Sequence, residues 1–166
     1  MFTGVLDWSW TRTLVTMRRI IGEVVNWQEL VIVQLEDNEL SELDPSLILS
    51  MYRLEVLELA RNRISVLPET VAQHTTLRRL GIAQNRMTTL PVALGSMRSL
   101  EHVDVTNLPL TFPPQDVLKY GTENTLCYLA AMDQALTDQV TLCMFRVQVS
   151  GDILHFYQGE SLSLSL

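Results

Sequence analysis

Residues 54–76 read LEVLELARNRISVLPETVAQHTT, and residues 77–99 read LRRLGIAQNRMTTLPVALGSMRS. Laid over each other, the two stretches agree at nearly every apolar position and share an Asn and a Pro. Leu54, Leu77 and Leu100 fall 23 residues apart, and each opens the frame L-x-x-L-x-L-x-x-N-x-L-x-x-L-P. The copy from Leu54 supplies Leu57, Leu59, Asn62, Ile64, Leu67 and Pro68, and the next supplies Leu80, Ile82, Asn85, Met87, Leu90 and Pro91. A further copy keeps Leu100, Val103, Val105, Leu110 and Pro113 but has Leu108 where Asn is expected. An earlier one holds Leu30, Val33, Leu35, Asn38, Leu40 and Leu43, and its 24 residues place one extra near Pro45.

Elementary chemistry accounts for the pattern. In LEVLEL, alternation turns Leu57 and Leu59 inward from a short strand and Val56, Glu58 and Ala60 outward. The Asn amide can satisfy backbone groups where the chain leaves the strand. The Leu-Pro pair opens an outer segment whose inner positions are Leu47, Val71, Leu94 and Val117. One such coil cannot bury its own core, whereas stacked coils bury a continuous one, with about three as the minimum.

Over residues 30 to 120 the chain resembles the intracellular leucine-rich repeat family, in its 23-residue kind with a Leu-Pro pair. The resemblance implies an α/β fold: a short solenoid with a curved parallel sheet on the concave face and a helical or irregular convex side. Four repeats are expected, at 30–53, 54–76, 77–99 and 100–120, between a capping region at 1–29 and a capping helix with extension at 121–166. It also implies that outward strand residues line up as columns on a concave, protein-binding face. The columns are Ile32, Val56, Arg79, His102; then Gln34, Glu58, Gly81, Asp104; then Glu36, Ala60, Ala83, Thr106; and, beside the Asn, Asp37, Arg61, Gln84, Asn107. The candidate binding residues are Ile32, Gln34, Glu36, Asp37, Val56, Glu58, Arg61, Arg79, Gln84, His102 and Asp104.

Composition narrows the classes. The 166 residues suit one domain, with 47% hydrophobic and 19% charged residues, outside the range of disordered chains. A formal charge of −7 argues against general nucleic-acid binding, which needs excess Lys and Arg. No run approaches the roughly 18 apolar residues of a membrane span. MFTGVLDWSW is too short and too polar for a signal peptide. The two cysteines lack zinc spacing, disulfide-bonded caps are not evident, and no Asn opens a glycosylation sequon. An intracellular, cytoplasmic and reducing setting is the expectation.

The ends carry two further expectations. Leu14, Met17, Ile21, Val24 and Val25 fall at helical spacing, read as an N-terminal capping helix; an Arg-bearing targeting or membrane-surface helix is the alternative. After the last repeat, Thr122 is expected as an N-cap, with Leu126, Leu129, Ala130 and Leu136 on one apolar face lying over the last coil. Cys143 to Val149 and Ile153 to Tyr157 alternate as a β-hairpin would, and the terminal SLSLSL is expected to be disordered or to pair with a partner's strand edge.

Charge changes sign along the stack. Residues 30–53 carry Glu36, Asp37, Glu39, Glu42 and Asp44 against Arg53, whereas 77–99 carry Arg78, Arg79, Arg86 and Arg98 with no acid. Over roughly 20 Å such a gradient would orient a charged partner, or the charges simply decorate solvated faces and attract each other weakly. His74, His102 and His155 are far apart in sequence, His74 stands at a normally leucine position, and Cys143 lies in an apolar run. No phosphate loop, H-E-x-x-H or G-x-S-x-G is present, so no catalysis, cofactor, metal or small-molecule substrate is expected. The expected work is that of an adaptor or scaffold binding another protein. The alternatives are a regulatory or substrate-recognition subunit of a small GTPase, kinase, phosphatase or ubiquitin ligase, and a structural subunit of an organelle or ciliary assembly.

Overall fold

A computed structural model describes residues 5–7 and 27–137 of the chain. Among the described residues, five short strands form one parallel sheet in chain order: β1 (Val5–Asp7), β2 (Ile32–Gln34), β3 (Val56–Glu58), β4 (Arg79–Gly81) and β5 (His102–Asp104). Parallel neighbours need a crossover on every return, and between β2 and β5 each crossover is the outer half of one coil. The sheet is open and the architecture is that of an α/β solenoid.

The frame leucines build the core. Leu6, Val33, Leu57, Leu80 and Val103 stand opposite one another in the ladder and all are buried. Leu35, Leu59 and Ile82 are buried beside them, and Leu47, Val71, Leu94 and Val117 close each coil from the outer side. Fully burying a Leu-sized side chain contributes about 1.5–3 kcal/mol, so this repeated layer supplies the main cohesion.

The outer segments differ in a way that the extra residue explains. In the coil from Leu30, the insertion puts Asp44 before Pro45, and helix α1 (Pro45–Ser50) forms with the Asp44 carboxylate accepting from Ser46 N at 2.9 Å and Leu47 N at 3.4 Å. Pro at the first helical position needs no N–H partner there. In the next two coils Pro68 and Pro91 occupy the capping position, offer no side-chain acceptor, and are followed by 3-10 segments at Glu69–Gln73 and Val92–Ser96. In the last coil Pro113 is buried where Leu67 and Leu90 stand, and the short helix α2 (Gln115–Leu118) follows Pro114.

The asparagines join the coils. Asn62 Nδ2 donates to Leu35 O, Leu59 O and Ala60 O, while its Oδ1 accepts from Leu40 N at 3.0 Å. Asn85 repeats this one coil later, with Leu59 O, Ile82 O and Ala83 O as acceptors and Ile64 N as donor. The residue before each turn position adopts a left-handed backbone: Asp37, Arg61, Gln84 and Asn107 have φ between 53° and 56°. At the fourth turn the ladder changes chemistry. Leu108 is buried in place of Asn, and Pro109 stands where Arg63 and Arg86 donate N–H bonds to Leu40 O and Ile64 O.

Helix α3 (Gly121–Thr137) follows, two residues earlier than an N-cap at Thr122 suggested. Thr122 does not cap it. Its hydroxyl instead accepts from Val103 N at 3.1 Å and donates to Val103 O at 3.3 Å, satisfying backbone at strand β5. α3 packs on the 3-10 segment Val92–Ser96 and on β5. Leu129 is wholly buried, Leu126 is partly buried, and the Tyr128 ring tilts against Phe112 with centroids 5.9 Å apart.

Strand β1 stands outside the repeat pattern. It pairs with β2 in the solenoid's register, Leu6 opposite Val33, within a segment expected to be a helical cap. Leu6 precedes Val33 by 27 residues, outside the 23- to 24-residue phase, so the repeat count does not reach it. The helix expected over 14–25, the hairpin over 143–157 and the SLSLSL terminus lie outside the described residues, as does the side chain of Leu136.

His74 sits at the inner position that Met51 and Met97 hold in neighbouring coils and is only 6% exposed. It hydrogen-bonds the backbone of Ile48, but its Nε2 is buried without a partner among the described residues. Burial holds its pKa below the ordinary 6.5, and the Ile48 bond opposes this more weakly. The unfolded chain therefore takes up the proton first, and stability falls as pH drops through about 6.5, by at most about 1.4 kcal/mol per pH unit. His74→Met should remove this acid-side loss; thermal melts of both proteins at neutral and mildly acidic pH will show whether their difference widens on acidification.

Candidate functional site: the concave sheet face

The ladder places the outward residues in rows across the sheet. Val5, Ile32, Val56, Arg79 and His102 face one another in sequence, and so do Asp7, Gln34, Glu58, Gly81 and Asp104. Backbone bonds from Asp37 N to Ala60 O, Arg61 N to Ala83 O and Gln84 N to Thr106 O carry the alignment on into the turns. These rows enclose a shallow concavity of about 580 Å³.

Ile32, Gln34, Glu36, Val56, Glu58, Arg61, Arg79, Gln84 and Asp104 all line it. Asp37 and His102 stand outside the lining: Asp37 is turned to Arg61, and His102 is on the last strand. Ala60, Ala83 and Thr106 line it as well, though their small side chains carry no recognition chemistry to single them out. Ala60 and Ala83 are nearly covered, so they form the floor.

The electrostatics are local. Arg61 reaches back one coil to Asp37 at 2.5 Å and Glu36 at 3.7 Å, and the hydrogen bond it donates to Asp37 raises its pKa. Arg63 pairs with Glu39 at 3.0 Å and Arg53 with Glu29 at 2.7 Å, both across neighbouring coils. In the arginine-rich coil, Arg79 Nε meets Glu58 at 2.6 Å and Arg78 meets Glu101 at 2.5 Å. The change of charge along the sequence is thus largely closed by arginines reaching to acids on adjacent coils. Each such exposed pair contributes about 0.2–1 kcal/mol. Arg86 and Arg98 are exposed away from the concavity.

Glu58 differs from the other acids because its side chain is only 12% exposed. It lies over Gly81, where any Cβ would overlap the carboxylate, and Arg79 holds it there. Asp104 is held below the ordinary carboxyl pKa, chiefly by the Thr106 hydroxyl. Partial burial opposes this; the Thr106 N–H and the positive charge of His102 and Arg79 reinforce it. The arrangement offers a charged, hydrogen-bonding surface over an apolar floor. Among the described residues, no three His, Cys, Asp or Glu side chains converge as a metal site would require, and no helix is long and apolar enough to cross a membrane.

A family model described as leucine rich repeat matches residues 28–87, the span over which the asparagine ladder and buried leucine rows are most regular. Residues 28–87 are leucine-rich repeats. No curated protein matches it. Leucine-rich repeats generally mediate protein–protein interaction and are typically non-enzymatic modules, which agrees with a sheet face that presents side chains in rows over a broad, shallow surface.

Proposed function

We propose that this leucine-rich repeat protein is a non-catalytic adaptor or scaffold subunit that binds a partner protein through its concave face. The observation that carries the proposal is the registered set of outward rows: residues far apart in sequence line one continuous concavity on the sheet. Protein partners are recognised by such distributed contacts, with a few anchors supplying most of the affinity. We take repeats to run at 30–53, 54–76, 77–99 and 100–120, α3 to act as the C-terminal cap, and the protein to work inside the cell.

The test is affinity capture with full-length protein and three variants. Val56→Asp and Arg79→Glu alter the concavity, while Val66→Asp alters a residue that is 69% exposed and does not line it. Partners recovered with the parent protein should be lost with the first two variants and retained with Val66→Asp. Retention by both concave variants, with loss by Val66→Asp, would place recognition on another surface.

A further inference from the structure

The concave face is unevenly furnished. On strands β1 to β3 one row is apolar, with Val5, Ile32 and Val56 side by side over about 10 Å. Val5 is 45% exposed, and Ile32 and Val56 are half-buried. The adjoining row and turn carry Asp7, Glu58, Asp104, Glu36 and Asp37, whereas Arg61 and Arg79 are the only two lysine or arginine side chains in the described rows. Both arginines already contact acids of the same face: Arg61 meets Asp37 and Glu36, and Arg79 meets Glu58. Five carboxylates thus face two cations.

We infer that the occupant of this face is a linear segment of a partner protein in which an aliphatic side chain neighbours a Lys or Arg. The aliphatic group lies on Ile32 and Val56, and the cation lies on the row that Glu58 and Asp104 share. Charge complementarity selects this occupant. An acidic segment would have to break the Arg61 and Arg79 pairs and would still meet surplus carboxylate, a like-charge juxtaposition that suppresses wrong partners. A basic segment adds to those pairs and leaves them standing. The inference rests on the concave-face reading above and specifies the chemistry of the partner.

The experiment selects a library of short random peptides against the full chain and measures the enriched peptides against variants. The expected result is enrichment of peptides with Lys or Arg next to Leu, Ile or Val, bound more weakly as salt is raised. Ile32→Ser should weaken that binding, and so should the pair Glu36→Gln with Asp104→Asn, each by about tenfold. Asn at 104 keeps an acceptor for the Thr106 N–H, and unchanged melting temperatures will show that the variants fold. Enrichment of acidic peptides that these variants still affect overturns the inference while leaving concave binding intact. Binders indifferent to every concave variant overturn both readings, whereas a library with no enrichment overturns the linear-segment inference and leaves concave binding to the capture experiment. Self-association abolished by Ile32→Ser would put a second copy of the chain on the face, which also overturns it.

Discussion

Asn85→Ala should lower the unfolding free energy by about 2–4 kcal/mol, because the side chain is a joint between coils and its loss orphans buried backbone. Asn85 is 7% exposed; its Oδ1 receives Ile64 N–H from one coil, and its amide serves Ile82 O in its own turn and Leu59 O in the coil before. Leu59 O retains the Asn62 amide, and Ala83 O retains Arg61 N–H. Ile64 N–H and Ile82 O are left, two buried groups that each cost about 1–3 kcal/mol without a partner. Asn85→Asp separates the two halves of the joint. It keeps an acceptor for Ile64 N–H but sets a carboxylate against carbonyl oxygens, so it should be no more stable than Asn85→Ala. Urea denaturation of the three proteins will decide, and a loss under about 1 kcal/mol for Asn85→Ala would show that the joint is dispensable.

Gly95→Val should detach helix α3 from the solenoid. A Cβ at residue 95 would overlap the backbone nitrogen of Ala130 and stand 2.5 Å from its Cα and 2.6 Å from the Leu129 carbonyl carbon. Those atoms belong to a helix backbone, which cannot turn aside as a side chain does. The helix must therefore lift, exposing Leu129 and parting Tyr128 from Phe112, at a cost of about 3–5 kcal/mol. Gly121→Ala is the comparison. Gly121 has φ of 87° and open space where a methyl group would sit, so the substitution meets backbone preference alone and should cost only about 1 kcal/mol. Hydrogen exchange should rise sharply over 121–137 in Gly95→Val while the amides of β3 and β4 stay protected. Unchanged protection over that helix would mean that the close approach at Gly95 is readily relieved.

Both predictions involve residues of different legibility. Asn85 is visible in the repeat itself, since any chain that turns off a strand at a fixed interval needs a donor and an acceptor there, and Asn offers both. Gly95 carries no such signal. It holds a position that Ile48, Ala72 and Leu118 fill in the other coils, and only the seating of a helix from outside the repeats explains why a side chain is missing. Thr122 misleads for a related reason: a Thr ahead of an apolar run is a sound N-cap by local rules, but Val103 backbone at the sheet edge takes the hydroxyl first.

For the concave face, the 23-residue interval alone dictates which outward residues share a row, because parallel strands of equal phase pair in register. Strand β1 extends those rows with Val5 and Asp7, out of phase and so unseen in the repeat count. Charge shows the same division. The run of acids near Glu36 and the arginines near Arg79 are plain in the linear chain, yet stacking brings Arg61 onto Asp37, Arg63 onto Glu39 and Arg79 onto Glu58.

Repetition, then, was enough to determine the solenoid, its buried leucine rows and the identity of the exposed columns, since each follows from strand alternation and a constant period. The tertiary structure alone decided how the helix outside the repeats docks, which charges neutralise one another, and where an apolar row meets surplus carboxylate. Those outcomes depend on contacts across roughly 20 or more residues of sequence, which no local pattern encodes.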